Sequence, residues 1–126
     1  MLETLSGWEL DVERGPDWLF VKIRDPKQDV WESPPLAERL VALLQEHLVH
    51  RLILQLDEVG RMGSSFIGQL VLLHKRIVTH GGLMRLCGLS PSNQEVLHLC
   101  RLDERFACYR NREEAVMGTC FPRQPR

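Results

Sequence analysis

The chain predicts an α/β fold, a single domain built on a mixed central β-sheet flanked by helices. Three observations lead there. Two alternating apolar–polar runs flank a Gly15-Pro16 turn and read as an opening β-hairpin. After the hairpin, helix-period and strand-like segments alternate, which favours parallel pairing through helical crossovers. A chain of 126 residues, 44% apolar and 26% charged, can also bury a core without a metal or disulfide staple.

Each element follows from its local pattern. Residues 8–14, WELDVER, alternate in the manner of a half-buried strand, and DWLFVKIRD at 17–25 reads as its returning partner. Residues 26–33 are polar and proline-flanked, so they read as loop, with Ser33 before Pro34 and Pro35 marking a helix start. From 36 to 48, Leu36, Leu40, Leu43, Leu44 and Leu48 fall on one helical stripe. RLILQLDEV at 51–59 suits a central strand.

In the next helix Phe66, Ile67, Leu70, Val71, His74, Ile77 and Val78 keep to one face, while Gln69, Lys75 and Arg76 fall off it. Gly81 and Gly82 stop that helix, and GLMRLCGL at 82–89 is a further strand. Ser90 then reads as a cap with Pro91 at the first helical position, and Val96, Leu97 and Cys100 are expected to face a core. FACY at 106–109 reads as a last short strand and REEAVMG at 112–118 as a final helix. CFPRQPR at 120–126 reads as a frayed end.

Bulk properties narrow the function. A net charge of -1 gives no electrostatic reason to expect nucleic acid or an anionic membrane. No apolar run approaches the roughly 20 residues needed to cross a bilayer, and the N-terminus lacks signal-peptide order. The expectation is a soluble cytoplasmic protein. Cys87, Cys100, Cys108 and Cys120 form no CxxC pair, so they read as core-filling thiols in a reducing compartment. His47 and His50 stand i,i+3 with no carboxylate or thiolate beside them, so no metal and no cofactor is assigned.

The informative stretch is LDEVGRMGSSFIGQL, residues 56–70, where Ser64 and Ser65 stand between strand and helix. A serine there is a standard cap for the first helical turn. One cap needs one hydroxyl, however, and the doublet leaves a second. A helix N-terminus also receives phosphate well, and phosphorylation there adds about -1.5 to -2 charges, enough to repel a docked partner. Catalytic alternatives fit poorly. No lysine completes a P-loop after Gly63 or Gly68. Ser65 lacks the second glycine of a nucleophile elbow, and nothing fixes His74, His80 or His98 in a triad. No enzymatic activity is expected.

The run LILQLDEVGRMGSSFIGQLVLLHKRIVTHGGLMRLCGLSPSNQEVLHLCRLDERFACYRNREEAV resembles the STAS domain, shared by sulfate transporters and anti-sigma factor antagonists. It carries a hydrophobic strand ending in LDEV, a serine doublet opening a helix, the GG stop, RLCGLSP, LHLCRLD and a final EEA. With the N-terminal hairpin and first helix the resemblance covers nearly the whole chain. It implies one STAS-like domain over 1–126, with a core at about 8–117 and a flexible tail at 118–126. No membrane segment precedes the domain, so the antagonist branch is the one expected.

The resemblance implies partner switching. An unphosphorylated antagonist binds an anti-sigma factor that is a serine protein kinase of the histidine-kinase-like ATPase type. The kinase phosphorylates it with ATP and Mg2+, and a phosphatase reverses the step. Matched to the family pattern D-S-[ST]-G-L-G, the run Gly63-Ser64-Ser65-Phe66-Ile67-Gly68 puts the phosphoacceptor at Ser64, with Ser65 as the alternative. Gly63, Ser64, Ser65, Phe66 and Gln69 are then the expected partner-binding residues. Two positions depart from the pattern: Gly63 replaces its aspartate and Phe66 its first glycine. The first departure also admits a second reading, a STAS interaction module or scaffold subunit that is never phosphorylated.

Overall fold

The computed structural model describes residues 1–25 and 33–118. Six strands form one sheet in sequence order. They are β1 (Leu2–Leu5), β2 (Trp8–Arg14), β3 (Leu19–Arg24), β4 (Arg51–Glu58), β5 (Leu83–Cys87) and β6 (Ala107–Tyr109). The helices are α1 (Leu36–Glu46), α2 (Ser64–Thr79), α3 (Pro91–Leu99) and α4 (Arg112–Met117). β1, β2 and β3 pair antiparallel, whereas β3–β4, β4–β5 and β5–β6 pair parallel. Each parallel step crosses over through one helix, as the alternation of patterns requires.

Alternation along the strands decides which side is core. Leu19, Val21 and Ile23 of β3, with Leu52, Leu54 and Leu56 of β4, are fully buried and face α1 and α2. The other face carries Trp18, Phe20, Ile53 and Cys87, which pack with Ala115 of α4 in a second, smaller cluster. Cations roof that cluster. Arg85 lies 5.0 Å and Arg51 5.6 Å from the Trp18 ring centroid, and Arg112 lies 3.6 Å from that of Phe20. Burial also pushes the Cys87 thiol up to about 12, so it stays an unreactive core thiol.

The structure corrects several expectations. β1 was not foreseen. Its four residues, LETL, give too short an alternation to register alone, and it exists by pairing with β2. α1 stops at Glu46, and Leu48, expected on its apolar stripe, adopts φ 55 and is 84% exposed. Val78, near the end of α2, and Cys100, just past the end of α3, also face solvent. Ser33 does not cap α1, whose N-cap is Pro35 with no side-chain bond. The remainder of the 26–33 loop, Cys120 and the 120–126 end lie outside the described residues.

Crossovers place the carboxyl ends of β3, β4 and β5 side by side. Gly88, just past β5, has φ +76, and a Cβ there would sit 2.9 Å from the Cβ of Asp57. Only glycine allows both the backbone and the close approach. The loop leaving β4, residues 59–63, is built on this crowded edge and ends at Ser64.

Candidate functional site

The turn from β4 into α2 is held from three directions. Val59 and Met62 are buried and anchor it to the core, while Gly60, Arg61 and Gly63 are exposed. Asp25, just beyond β3, accepts a hydrogen bond from the Gly60 N–H at 2.7 Å. From α3, the fully buried Asn93 side chain accepts from Met62 N–H at 3.1 Å and donates to the carbonyls of Val59 and Gly60, each at 3.2 Å. Asn93 thus supplies the backbone groups of an irregular turn with partners that no helix or strand can give. Its own N–H is capped by Ser90 Oγ at 3.2 Å, as the SPSN pattern led us to expect of Ser90.

Sequence reasoning missed Asn93 and Asp25. The available signal was an Asn three residues after a Ser-Pro helix start, but it carries no indication that the amide would reach another loop.

α2 itself begins unusually bare. Its N-cap is Gly63, in extended backbone (φ -86, ψ 174), and no side chain caps the first turn. Neither serine performs the capping role that the sequence left open. No acidic side chain occupies the first turn either. The free N–H groups and the positive end of the helix dipole therefore meet solvent without local neutralisation. Ser64 is exposed at this tip, and its hydroxyl makes no hydrogen bond among the described residues.

Ser65 and Gln69 are placed differently. Ser65 Oγ accepts from the Ser33 N–H at 3.1 Å, and Gln69 Oε1 accepts from the Ala37 N–H at 3.0 Å. Gln69 therefore caps α1 from the neighbouring helix, fixing how the two helix starts sit together. Phe66, named among the expected contact residues, turns inward instead. It is 3% exposed and stacks on Trp8 with ring centroids 5.4 Å apart. Of the five residues read from the sequence, Gly63, Ser64 and Ser65 form the exposed tip, while Phe66 and Gln69 brace it from below.

The acidic residues nearest in sequence, Asp57 and Glu58, do not substitute for the missing aspartate. Lys22 Nζ lies 3.2 Å from Asp57 and 3.1 Å from Glu58, and Arg24 Nε lies 3.0 Å from Glu58. The hydrogen bond from Lys22 holds the Glu58 carboxyl below its ordinary range, and Glu58 in turn raises Lys22. Both carboxylates are committed to this strand-edge network. Among the described residues no trio of His, Cys, Asp or Glu could hold a metal ion.

One exposed feature continues down the helix from Ser64. Gly68 lies in the α2 interior on the solvent side, and a Cβ there would meet nothing within 4 Å. The fold gives no packing reason for glycine at a position where it costs about 1 kcal/mol of helix stability. One turn further, Leu72 is an exposed apolar side chain on the same stripe.

A mixed sheet with its candidate site on a strand-to-helix turn at the carboxyl edge defines the class of fold. The STAS domain profile matches residues 10–115, and the chain belongs to the STAS domain family. Solved structures share this architecture. An anti-sigma factor antagonist from Mycobacterium paratuberculosis is 20% identical, with a TM-score of 0.72 over 88% of this chain and 92% of that one. The Bacillus cell fate determinant SpoIIAA in its phosphorylated form is 14% identical, with a TM-score of 0.60 over 86% of this chain and 97% of that one. A chain from the stressosome, a signal integration and transduction hub, is 16% identical, with a TM-score of 0.65 over 86% of this chain and 94% of that one. At these identities the likeness is one of fold. No curated protein matches the sequence. Among the described residues no helix is long and apolar enough to cross a membrane.

Proposed function

We propose that this STAS protein is an anti-sigma factor antagonist that docks through the α2 tip and is switched by phosphorylation of Ser64. Its partner is an anti-sigma factor of the histidine-kinase-like ATPase type, which supplies the phosphoryl group from ATP, and a phosphatase removes it. The observation that carries this reading is the exposed, uncapped Ser64 at the start of a helix without acidic residues in its first turn. A phosphate there gains free N–H donors and the favourable end of the dipole, so the fold tolerates it. The same charge on a docked surface is desolvated beside the partner and weakens the complex. Ser65 is the lesser acceptor because its oxygen already accepts the Ser33 N–H.

The exposed Gly68 supports a docking role for the same stripe, since a missing side chain lets a partner backbone approach closely. Gly68→Ala is expected to stabilise the isolated protein by about 0.5–1 kcal/mol in denaturant unfolding. It is also expected to weaken partner binding at least about tenfold. Affinity left unchanged by the added methyl would remove Gly68 from the contact surface.

A second reading, a STAS module that binds without being phosphorylated, is favoured by one feature. Gly63 stands where the family pattern has an acid, and a Cβ there would meet nothing within 4 Å. The extended backbone of Gly63 accepts an aspartate without strain. Incubation with the kinase, ATP and Mg2+, followed by intact mass and phosphosite mapping, separates the readings. The switch predicts a single phosphate on Ser64, appearing faster in Gly63→Asp. Absence of an adduct in the wild type together with its appearance in Gly63→Asp establishes the non-switching module.

A further inference from the structure

The far end of α2 offers a second site. Where the C-terminal ends of α1 and α2 meet the starts of β4 and β5, the surface opens into a cavity of about 340 Å³. That lies at the small end of the roughly 300–1,000 Å³ typical of small-molecule sites. Its α2 wall, Arg76 and Ile77, lies more than three helical turns from the Ser64 tip, about 18–20 Å at 1.5 Å per residue. The cavity therefore belongs to neither the docking surface nor the switch.

Its lining is divided by chemistry. Val41, Leu44, Val49 and Ile77 form the walls, and Leu48 stands at the mouth. Leu48 takes the left-handed position (φ 55) that closes α1, where its N–H bonds Gln45 C=O at 3.2 Å and the Val49 N–H bonds Leu44 C=O at 3.1 Å, and this closure sets its side chain 84% exposed as an apolar lip. Arg76, His80 and His50 also line the cavity, with no Asp or Glu among the lining residues. Arg76 makes no ion pair among the described residues, so its planar guanidinium fork has no internal acid to satisfy it. His80 Nδ1 donates to the Arg76 carbonyl at 2.8 Å, which fixes the imidazole beside the fork.

From this arrangement we infer that the cavity binds a medium-chain aliphatic carboxylate. The chain lies along Val41, Leu44, Val49 and Ile77 under the Leu48 lip, and the carboxylate meets the Arg76 fork. The geometry of guanidinium and carboxylate matches in two parallel hydrogen bonds, and a lining with the Arg76 cation and no Asp or Glu gives an ammonium head group no counter-charge. The modest volume favours a short chain over a long acyl tail.

The test is an NMR titration of the 15N-labelled full chain with octanoate, with octanol and octylamine as head-group controls. Saturable shifts are expected at the Leu44, Val49 and Ile77 amides, with octylamine giving none. Arg76→Gln is expected to weaken octanoate at least about tenfold, the loss of a charge-assisted pair. Leu48→Ser is expected to weaken octanoate and octanol alike. Both side chains are exposed, so thermal midpoints should stay at the wild-type value and report that the fold is intact. No saturable shift at these amides with millimolar octanoate overturns the assignment. So does equal octanoate affinity in Arg76→Gln, or octylamine binding as tightly as octanoate.

Discussion

Asn93→Leu is expected to destabilise the protein by about 4 kcal/mol, among the largest effects of any single polar substitution in this chain. The side chain is fully buried and makes three bonds to the 59–62 turn: from Met62 N–H, and to the carbonyls of Val59 and Gly60. Leucine matches the volume but offers neither donor nor acceptor. Each buried backbone group left unpaired costs about 1–3 kcal/mol, and Met62 N–H and Val59 C=O have no water to turn to. Denaturant unfolding should show a lower midpoint with an unchanged slope. Asn93→Asp is a sharper probe. It keeps the acceptor for Met62 N–H but sets a carboxylate against two carbonyl oxygens, so it should also destabilise. An Asn93→Leu protein within about 1 kcal/mol of wild type would mean that the turn is held by Asp25 and its buried ends alone.

The same residue marks where sequence reading stops. The helices, β4, β5 and the opening hairpin were legible because their apolar periods are long enough to declare a face, as with the buried Leu52, Leu54 and Leu56. The position of Ser64 was legible because a strand pattern ends and a helix pattern begins within a few residues. What lay beyond was any contact made across the chain. Asn93 reaches the turn from 31 residues away, Ser33 meets Ser65 across 32, and Gln69 caps α1 across 32. Gln69 reads as a surface polar residue in a helical wheel, and only the placement of α1 shows that its carbonyl is already used. Phe66 posed the converse problem. Its period fitted a core face and its place in the motif fitted a surface, and stacking on Trp8 settles it inward. β1 failed for a simpler reason, since a four-residue edge strand has too few alternations to stand out from a loop.

Ser64→Asp is expected to leave the fold intact and to lower affinity for the proposed kinase partner about 100-fold or more. The two effects have opposite signs and the same cause. At the uncapped start of α2 an aspartate lies at the positive end of the dipole, so the free protein should gain about 0.3–1 kcal/mol. In the complex the carboxylate is stripped of water without a designed counter-charge, a penalty of about 2–5 kcal/mol in protein interfaces. Ser64→Ala removes a hydroxyl that makes no hydrogen bond among the described residues, so stability and binding should both remain near wild type. Ser65→Ala should behave otherwise. It removes the acceptor of the Ser33 N–H, so it should cost about 0.5–1.5 kcal/mol of stability where Ser64→Ala costs none.

Calorimetric titration of the kinase partner with wild type, Ser64→Ala and Ser64→Asp is the most direct test of a charge switch at the helix tip. Tight binding by the first two and a loss of about 100-fold or more in the third, with all three equally folded, is the predicted result. Equal affinity for wild type and Ser64→Asp would show that the partner does not contact residue 64, and would contradict the switch.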